Sequence, residues 1–370
     1  MAGDARAEDG VSPDKILLGQ AAALEGPAAA LGVGMKLGLD AALAEANKAG
    51  GVGGRKFELI SMNDGYEPEM SISATRELIS SKKVFALVGP VGTPTSKATQ
   101  PIATEAGVPF IGPFTGAGFL RNAELGNVVN VRATYGAETE TWIKHLMDEK
   151  GMQRIALLYQ DDAFGRVGLA GVTEALKKRG KQLVATGTYT RNTTAVKTAL
   201  INIRKSNPDA VVMVGAYRPI ATFIKVARSI EFNPVFVNIS FVGSKALAKE
   251  LGSAGEGVII SQVVPFPWDT SIPLVRRYQA ALKALDPKAE PDFVSLEGYM
   301  VGRLLVMGVE KAGPDLSRKK LLEAFWKTGV FDLDGTKLTF GAGDNQGMDQ
   351  VFLTVINSDG SFRPVSGASM

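Results

Sequence analysis

The sequence predicts two doubly wound α/β lobes, and three observations support this fold class. The chain has 370 residues, more than one ordinary domain of about 100–200 residues contains. From Lys15 onwards, short apolar runs alternate with longer amphipathic stretches, as strands and helices do in a covered, mostly parallel sheet. The runs beginning at Lys15 and Arg154 open alike, which favours two similar halves.

The first half begins with a strand at 16–19, which reads Ile-Leu-Leu-Gly and precedes a Gly-Pro turn. The helix predicted at 31–46 places Leu31, Met35 and Leu39 on one apolar face. The other elements predicted in this half are strands at 57–62, 85–88 and 110–111 and helices at 69–81 and 94–106.

The second half follows a helix predicted at 138–150. Its elements are strands at 155–159, 183–188, 210–214 and 235–237 and helices at 167–179, 194–205 and 219–230. After Trp268 the pattern changes to helices at 273–285, 293–312 and 317–327, then strands near 338–340 and 351–356. Periodicity alone assigns this tail to neither lobe.

The composition argues against several classes of function. The 41 basic and 38 acidic residues are spread along the chain, which disfavours a nucleic-acid groove with its dense basic stripe. The chain has no cysteine, which excludes disulfides and thiolate metal sites, and no apolar stretch of the roughly 18–20 residues that a membrane span needs. We expect neither nucleic acid nor a metal as a partner.

Catalytic and cofactor motifs are missing as well. The one histidine, His145, falls in a predicted helix and is expected at the surface or in lobe packing. There is no G-x-S-x-G, HExxH or P-loop motif, and the glycine pairs at 32–34 and 116–118 lack the third glycine of a dinucleotide site. We therefore expect a protein without a cofactor that is not an enzyme.

The N-terminal segment 1–14 is predicted to be a disordered tail. Its first ten residues contain no apolar core of a signal peptide. Either the protein is cytoplasmic, or a signal was removed and a start Met added.

The loops after predicted strands are the expected ligand site, because ligands of doubly wound folds bind beyond the carboxyl ends of the strands. Thr93 precedes Pro94 and could cap its helix, hold a ligand, or both. The small residues at 112–118 would let a carboxylate approach main-chain amides, and Thr115 adds a hydroxyl. Phe164 and Tyr217 could close over an apolar ligand or be core residues.

Five segments carry a resemblance to a known family. They are Lys15-Ile-Leu-Leu-Gly with Gly26-Pro27, Asn-Lys-Ala-Gly-Gly-Val-Gly-Gly at 47–54, Thr-Gln-Pro at 99–101, Tyr-Gln-Asp-Asp-Ala-Phe-Gly at 159–165, and Asn-Ser-Asp-Gly at 357–360. In order and spacing the sequence resembles the leucine/isoleucine/valine-binding protein family, the type I periplasmic binding proteins that feed ABC importers. The likeness is colinear over nearly the whole chain after Lys15.

This resemblance implies a Venus-flytrap protein whose two lobes are joined by three crossovers. The implied lobes are 15–133 with 264–338, and 134–263 with 339–370. It further implies a monomeric periplasmic protein that captures a small carboxylate-bearing ligand, a branched-chain or other hydrophobic amino acid, for a membrane ABC permease.

The resemblance also implies site residues. Thr93 is similar to the family's Ser/Thr ligand residue and the turn at 114–116 to its second carboxylate-binding loop. The ligand-binding residues expected on this basis are Thr93, Phe114, Thr115, Gly116, Tyr135, Phe164, Tyr217 and Ser240.

Ser240 stands where the amino acid binders of this family place a glutamate that pairs with the ligand's ammonium. A buried ammonium without a partner would cost several kcal/mol. Either another acid serves, or the ligand is not an α-amino acid; the candidate acids are Glu25, Asp161, Asp162 and Glu297.

The sequence leaves two other functions open. The same fold could serve as the ligand-sensing domain of a regulator or receptor. A doubly wound enzyme is the alternative of a different class, with Asp161 and Asp162 as its one acid pair, although an Asp after a strand more often caps the next helix.

Overall fold

Five parallel strands form the first sheet, in the order β2-β1-β3-β4-β5. The computed structural model describes residues 8–365. The strands are β1 (Lys15–Ala22), β2 (Lys56–Asn63), β3 (Ala86–Val88), β4 (Phe110–Ile111) and β5 (Val128–Val129). They are connected in part by helices α1 (Ala29–Lys48), α2 (Pro68–Ser80) and α3 (Thr93–Glu105). Strand β3 is apolar and buried throughout, as strands covered on both faces are.

Seven strands form the second sheet, in the order β14-β13-β10-β9-β8-β6-β7. Its parallel strands are β6 (Ile155–Gln160), β7 (Ala185–Tyr189), β8 (Ala210–Val214), β9 (Val235–Asn238) and β10 (Ile259–Gln262). Strands β13 (Phe352–Ile356) and β14 (Phe362–Pro364) extend it in antiparallel pairing. Its helices are α4 (Tyr135–Ile143), α5 (Ala163–Lys177), α6 (Lys197–Lys205), α7 (Tyr217–Ser229) and α8 (Ser244–Leu251).

The helices that follow β10 return to the first lobe. They are α9 (Pro273–Leu285), α10 (Phe293–Ala312) and α11 (Arg318–Thr328), followed by a ribbon of β11 (Val330–Leu333) and β12 (Thr336–Thr339). Helix α10 packs closely on α1 because glycines line the contact: a Cβ on Gly38 would lie 1.9 Å from the Ser295 carbonyl oxygen, and one on Gly298 2.3 Å from that of Met35. Within residues 8–365 no helix is long and apolar enough to cross a membrane.

Three connections join the two sheets, at residues 130–134, 263–272 and 340–351. The first and third run side by side: the Asn130 amide donates to the Asn345 carbonyl at 2.8 Å, and the Gly347 amide donates to the Asn130 carbonyl at 2.8 Å. The chain is therefore a two-lobed Venus flytrap, the fold class that the sequence predicts.

Several elements were not predicted, namely β5, β10, β11, β14 and α8. Most are too short for periodicity to register, since β5 has two residues and β14 has three. The helix predicted at 138–150 begins at Tyr135 and changes to a π-helical turn over Lys144–Glu149. His145 in that turn is buried, with Nδ1 at 2.7 Å from the Glu149 carboxylate, so it belongs to lobe packing.

Part of the predicted tail is ordered. Residues 1–7 lie outside the described residues, as do 366–370, which were assigned to the second lobe. Residues 8–14 pack on the first lobe instead: Val11 forms an antiparallel bridge with Ile16, and the Arg318 amide donates to the Glu8 carboxylate at 3.0 Å. Gly10 permits this contact, because its φ is +75° and a Cβ would lie 2.2 Å from the Phe85 nitrogen.

Candidate ligand-binding site

Two threonine hydroxyls meet at the carboxyl ends of β3 and β4. Oγ1 of Thr93 lies 2.6 Å from Oγ1 of Thr115, and neither residue is exposed. The two strands are parallel neighbours, so the loops that follow them leave the sheet at the same edge. Adjacent hydroxyls of this kind can both donate to one carboxylate.

Thr93 does not cap helix α3, contrary to one of the two roles that its sequence position suggested. The cap residue is Gly92, with a φ of +108°, and no side chain bonds to the first amides of the helix. Gly92 is required sterically, because a Cβ there would lie 2.4 Å from Cε2 of Tyr66. As the first helical residue, Thr93 keeps its hydroxyl for Thr115.

Gly116 lies against Tyr135, so two further expected residues are in direct contact. A Cβ on Gly116 would come within 2.6 Å of Cδ1 of Tyr135, and the Tyr135 amide donates to the Gly116 carbonyl at 2.8 Å. Tyr135 begins α4, whose cap Thr134 accepts from the Ala137 amide. The loop after β4 is thereby tied to the first crossover.

Five aromatic rings from both lobes form a buried cluster. Ring centroids are 5.5 Å apart for Tyr135 and Phe164, 4.8 Å for Phe164 and Phe241, 5.3 Å for Phe114 and Phe241, and 5.7 Å for Tyr66 and Phe241. Each of the five residues is at most 2% exposed. The first lobe supplies Tyr66 and Phe114, so the lobes are closed on one another through apolar surface.

Tyr217 contacts the first lobe elsewhere. Its hydroxyl accepts a hydrogen bond from the Ala30 amide at 3.3 Å, which joins the first turn of α7 to the first turn of α1. Among the described residues its ring pairs with none of the five clustered rings. The structure therefore places Tyr217 between the lobes but apart from Phe164.

Ser240 lies beyond the end of β9, where its polar atoms bind Glu138. Its amide donates to Oε2 of Glu138 at 2.9 Å and its hydroxyl to Oε1 at 2.8 Å. The hydroxyl also accepts from the Arg132 guanidinium. The next residue, Phe241, contributes its ring to the aromatic cluster.

Arg132 is a cation of the site and is completely buried. Its Cζ lies 5.0 Å from the Phe114 ring centroid and 5.7 Å from that of Tyr135, within cation–π range. Burial opposes its charge, but Glu297, Tyr135 and Glu138 together outweigh that effect and raise the pKa of Arg132. Its Nε and Nη1 have no hydrogen-bond partner within the described part of the chain.

Glu297 comes from α10 and faces the same guanidinium. Its Oε1 is 3.7 Å from Nε of Arg132, and the residue is 3% exposed. Burial raises the pKa of Glu297 to about 7, while the Arg132 charge opposes the shift and that of Glu138 adds to it. The net charge beside Arg132 therefore changes near neutral pH.

An ionic latch closes the lobes near this site. Arg191, in the loop after β7, lies 2.7 Å from the Glu67 carboxylate of the first lobe and 2.8 Å from that of Asp162. The Asn192 side-chain amide donates to Glu67 at 2.7 Å. Asp162 also caps α5 by accepting from the Phe164 amide, the commoner role predicted for an Asp there.

Sequence reasoning missed Tyr66, Arg132, Glu138 and Phe241. Tyr66 and Phe241 follow predicted strands, as Thr93 does, so the same strand-end rule predicts them. Arg132 and Glu138 gave no such signal, because the strand before them has only two residues.

A cavity of about 670 Å³ opens elsewhere, between the β11–β12 ribbon and the start of β13, and Phe266, Lys337 and Asp349 contribute to its lining. It lies away from the strand ends that carry the clustered hydroxyls and rings. We therefore place the candidate site at the strand ends between the lobes.

Two α/β lobes closed around a buried polar and aromatic cluster define a two-lobed ligand-binding protein. Residues 15–361 match the family described as periplasmic binding protein. The chain belongs to this family, whose members are binding proteins and not enzymes.

Individual relatives agree with the assignment. The Leu/Ile/Val-binding protein BraC3 of Rhizobium johnstonii is 28% identical over 301 residues, 80% of each chain. A possible leucine/isoleucine/valine-binding protein from Rhodopirellula baltica superimposes with a TM-score of 0.92 at 37% identity, over 96% of this chain and 97% of that one. An extracellular ligand-binding receptor from Verminephrobacter eiseniae gives a TM-score of 0.86 at 30% identity, over 94% and 99%.

Proposed function

We propose that this protein is a periplasmic solute-binding protein that captures a small carboxylate-bearing ligand with an apolar body for a membrane ABC permease. The observation that carries the proposal is the pair of buried hydroxyls of Thr93 and Thr115, 2.6 Å apart at adjacent strand ends. Family membership supports the solute-binding role. Thr93 and Thr115 are both fully buried, as residues that hold a ligand enclosed by hinge closure would be.

Each part of the site has a role in this proposal. The carboxylate is received by the hydroxyls of Thr93 and Thr115, the Gly116 amide and the free N–H groups of Arg132. The rings of Phe114, Tyr135 and Phe164 enclose the apolar body, while Tyr217 and Ser240 brace the closed lobes. We propose 15–133 with 264–338 and 134–263 with 339–370 as the limits of the lobes that close.

The names of the relatives make branched-chain and other hydrophobic amino acids the first ligands to test, along with the same acids lacking the amine. A matched series of each acid and its primary amide tests the carboxylate requirement. In a thermal-shift assay, an acid at about 100 times its Kd adds about 2.7 kcal/mol of stability and raises Tm by several degrees. The corresponding amide should produce no shift. Equal shifts with acid and amide, or stabilisation by nucleotides alone, would overturn the proposal.

Thr93→Val tests the hydroxyl pair directly. The substitution keeps the shape and removes the donor, so we expect it to weaken binding of the acid by about 0.5–3 kcal/mol in titration calorimetry. Thr99→Val is the matched control, because Thr99 is buried in the same helix but donates to the Thr95 carbonyl. Equal affinities of the two variants would contradict a role for Thr93 in binding.

A further inference from the structure

The unpaired polar groups of the candidate site include strong donors. Nε and Nη1 of Arg132 have no hydrogen-bond partner among the described residues, although Arg132 is completely buried. Oε1 of Glu297 lies 3.7 Å from Nε, beyond hydrogen-bond distance. A buried guanidinium with two free N–H groups requires acceptors, which a bound ligand can supply.

Glu138, the carboxylate nearest in sequence to the first crossover, already accepts hydrogen bonds at both of its oxygens. Oε1 of Glu138 accepts from the Ser240 hydroxyl at 2.8 Å and lies 3.4 Å from Nη2 of Arg132. Oε2 accepts from the Ser240 amide at 2.9 Å and from the Ser261 hydroxyl. With both oxygens occupied, Glu138 holds Arg132 and the end of β9 in place and has little capacity for a ligand ammonium.

The sequence offers four acids as possible partners of a ligand ammonium, and each of them is exposed or lies beside an arginine. Glu25 is exposed, and Asp161 is exposed and pairs with Arg166. Asp162 accepts from Arg191, from the Gln160 side-chain amide and from the Phe164 main-chain amide.

Glu297, the fourth acid, is the one that faces the site, and it does so through Arg132. An ammonium that took Glu297 as its partner would leave the buried guanidinium with one fewer carboxylate nearby and with its two N–H groups still unpaired. Two carboxylates, Glu138 and Glu297, already lie beside Arg132, so its need for a further acceptor comes from the two unpaired N–H groups and not from an excess of positive charge.

An aromatic ring stands beside Ser240, where an ammonium partner was expected. Phe241 is fully buried, 4.8 Å from the Phe164 ring and 5.3 Å from the Phe114 ring, centroid to centroid. A ring in this position offers an apolar wall and cannot compensate a charged amine in the way that a carboxylate does.

Resting on the proposed function, we infer that the preferred ligand is a monocarboxylate with an apolar body and no free ammonium group. The acid group meets Thr93, Thr115 and the free N–H groups of Arg132, and the body lies among the rings of both lobes. Phe241 and Arg132 are the residues that set this preference: the first places an uncharged ring where a carboxylate would be needed for an ammonium, and the second offers unpaired N–H donors to an acid group.

Titration calorimetry of the wild-type protein with three acids of one carbon skeleton tests this inference: leucine, 4-methylpentanoate and 2-hydroxy-4-methylpentanoate. We expect 4-methylpentanoate to bind at least about 100-fold more tightly than leucine, because leucine would bury an unpaired ammonium. The hydroxy acid should bind like 4-methylpentanoate, since its neutral hydroxyl resembles the amine in size but has no charge. The same series built on phenylalanine covers aromatic bodies.

The outcomes separate this inference from the proposed function. If leucine or phenylalanine binds as tightly as its amine-free counterpart, the inference is wrong while the carboxylate-binding function stands. If the hydroxy acid is rejected as strongly as leucine, the size of the group decides and the role given to charge is wrong. If no acid of either series binds, the proposed function fails and the inference fails with it.

Discussion

Glu297 is a residue through which pH acts on the candidate site near neutrality. It is buried, its pKa is raised to about 7 by that burial, and Arg132 is its charged neighbour. In the unfolded chain the same carboxyl has the ordinary pKa of 4.5. The folded protein therefore holds more protons than the unfolded chain between these two values.

This difference predicts the sign of a pH effect. Stability associated with Glu297 is fully present below pH 4.5 and is lost as pH rises to about 7, by up to about 3 kcal/mol. In Glu297→Gln this loss is absent. We expect denaturant unfolding at pH 5 and pH 7.5 to show a larger fall in the free energy of unfolding for the wild type than for the variant.

The difference between wild type and variant also cancels the contributions of other carboxyls that titrate in the same pH range. Burial raises the pKa of Asp64 and of Asp292 to about 6, but both carboxyls are present in each protein and cancel in the difference. Glu323→Gln, at an exposed helical position, is the matched control and should behave as wild type. A pH dependence unchanged by Glu297→Gln would exclude Glu297 as the titrating group.

At the scale of elements, closure depends on loops that belong to different lobes. Arg191 follows β7 in the second lobe, and Glu67 is the cap residue of α2 in the first. The ion pairs are only partly exposed, with 21% of the Arg191 side chain accessible, so each is worth more than a fully solvated pair. Of its two ion pairs, Arg191–Glu67 exists only when the lobes are closed, so its free energy adds to ligand affinity, whereas Arg191–Asp162 lies within the second lobe.

Arg191→Ala should therefore weaken ligand binding by roughly 1 kcal/mol, about fivefold, because the closed form loses its latch. The midpoint of denaturant unfolding without ligand should change less. Arg166→Ala is the control, since Arg166 pairs with Asp161 within the second lobe. The latch would have no role if the two variants bound ligand with equal affinity in calorimetry.

At the scale of the whole molecule, Arg121 links the candidate site to the hinge. Its Nη1 donates to the Thr115 and Ala117 carbonyls at 2.9 and 3.0 Å, and its Nη2 to the Arg132 carbonyl at 3.1 Å. Its Nε donates to Oε1 of Gln346 on the third crossover at 3.0 Å. One side chain thus connects the loop after β4 with two of the three connections between the lobes.

Replacement of Arg121 should lower the stability of the whole molecule. Arg121→Met leaves three main-chain carbonyls without these donors, and we expect it to lower the free energy of unfolding by about 2–5 kcal/mol. Arg121→Lys, which restores a cation but not the planar fork, should recover part of the loss. Denaturant unfolding measures the stability, and small-angle scattering measures whether ligand still compacts the protein. An Arg121→Met protein with wild-type stability would show that these hydrogen bonds contribute nothing net.

Local patterns in the chain predicted most of the strands and helices and part of the candidate site. The alternation of apolar runs and amphipathic stretches predicted the strands and helices of both halves, because side-chain periodicity is set by neighbouring residues. The rule that ligands bind at strand ends predicted Thr93, Thr115 and Phe164 as site residues, and all three do lie at those ends.

The charges of the site depended on contacts between distant segments. Glu297 reaches Arg132 because α10 returns to the first lobe and packs closely on α1 through Gly38 and Gly298. Nothing near Arg132 or Glu297 in sequence records that contact. The amino-acid sequence by itself determined a two-lobed binding protein with its candidate ligand loops at the strand ends. Tertiary packing alone decided which charges face the candidate site, because burial and pairing of ionisable groups are properties of the assembled lobes.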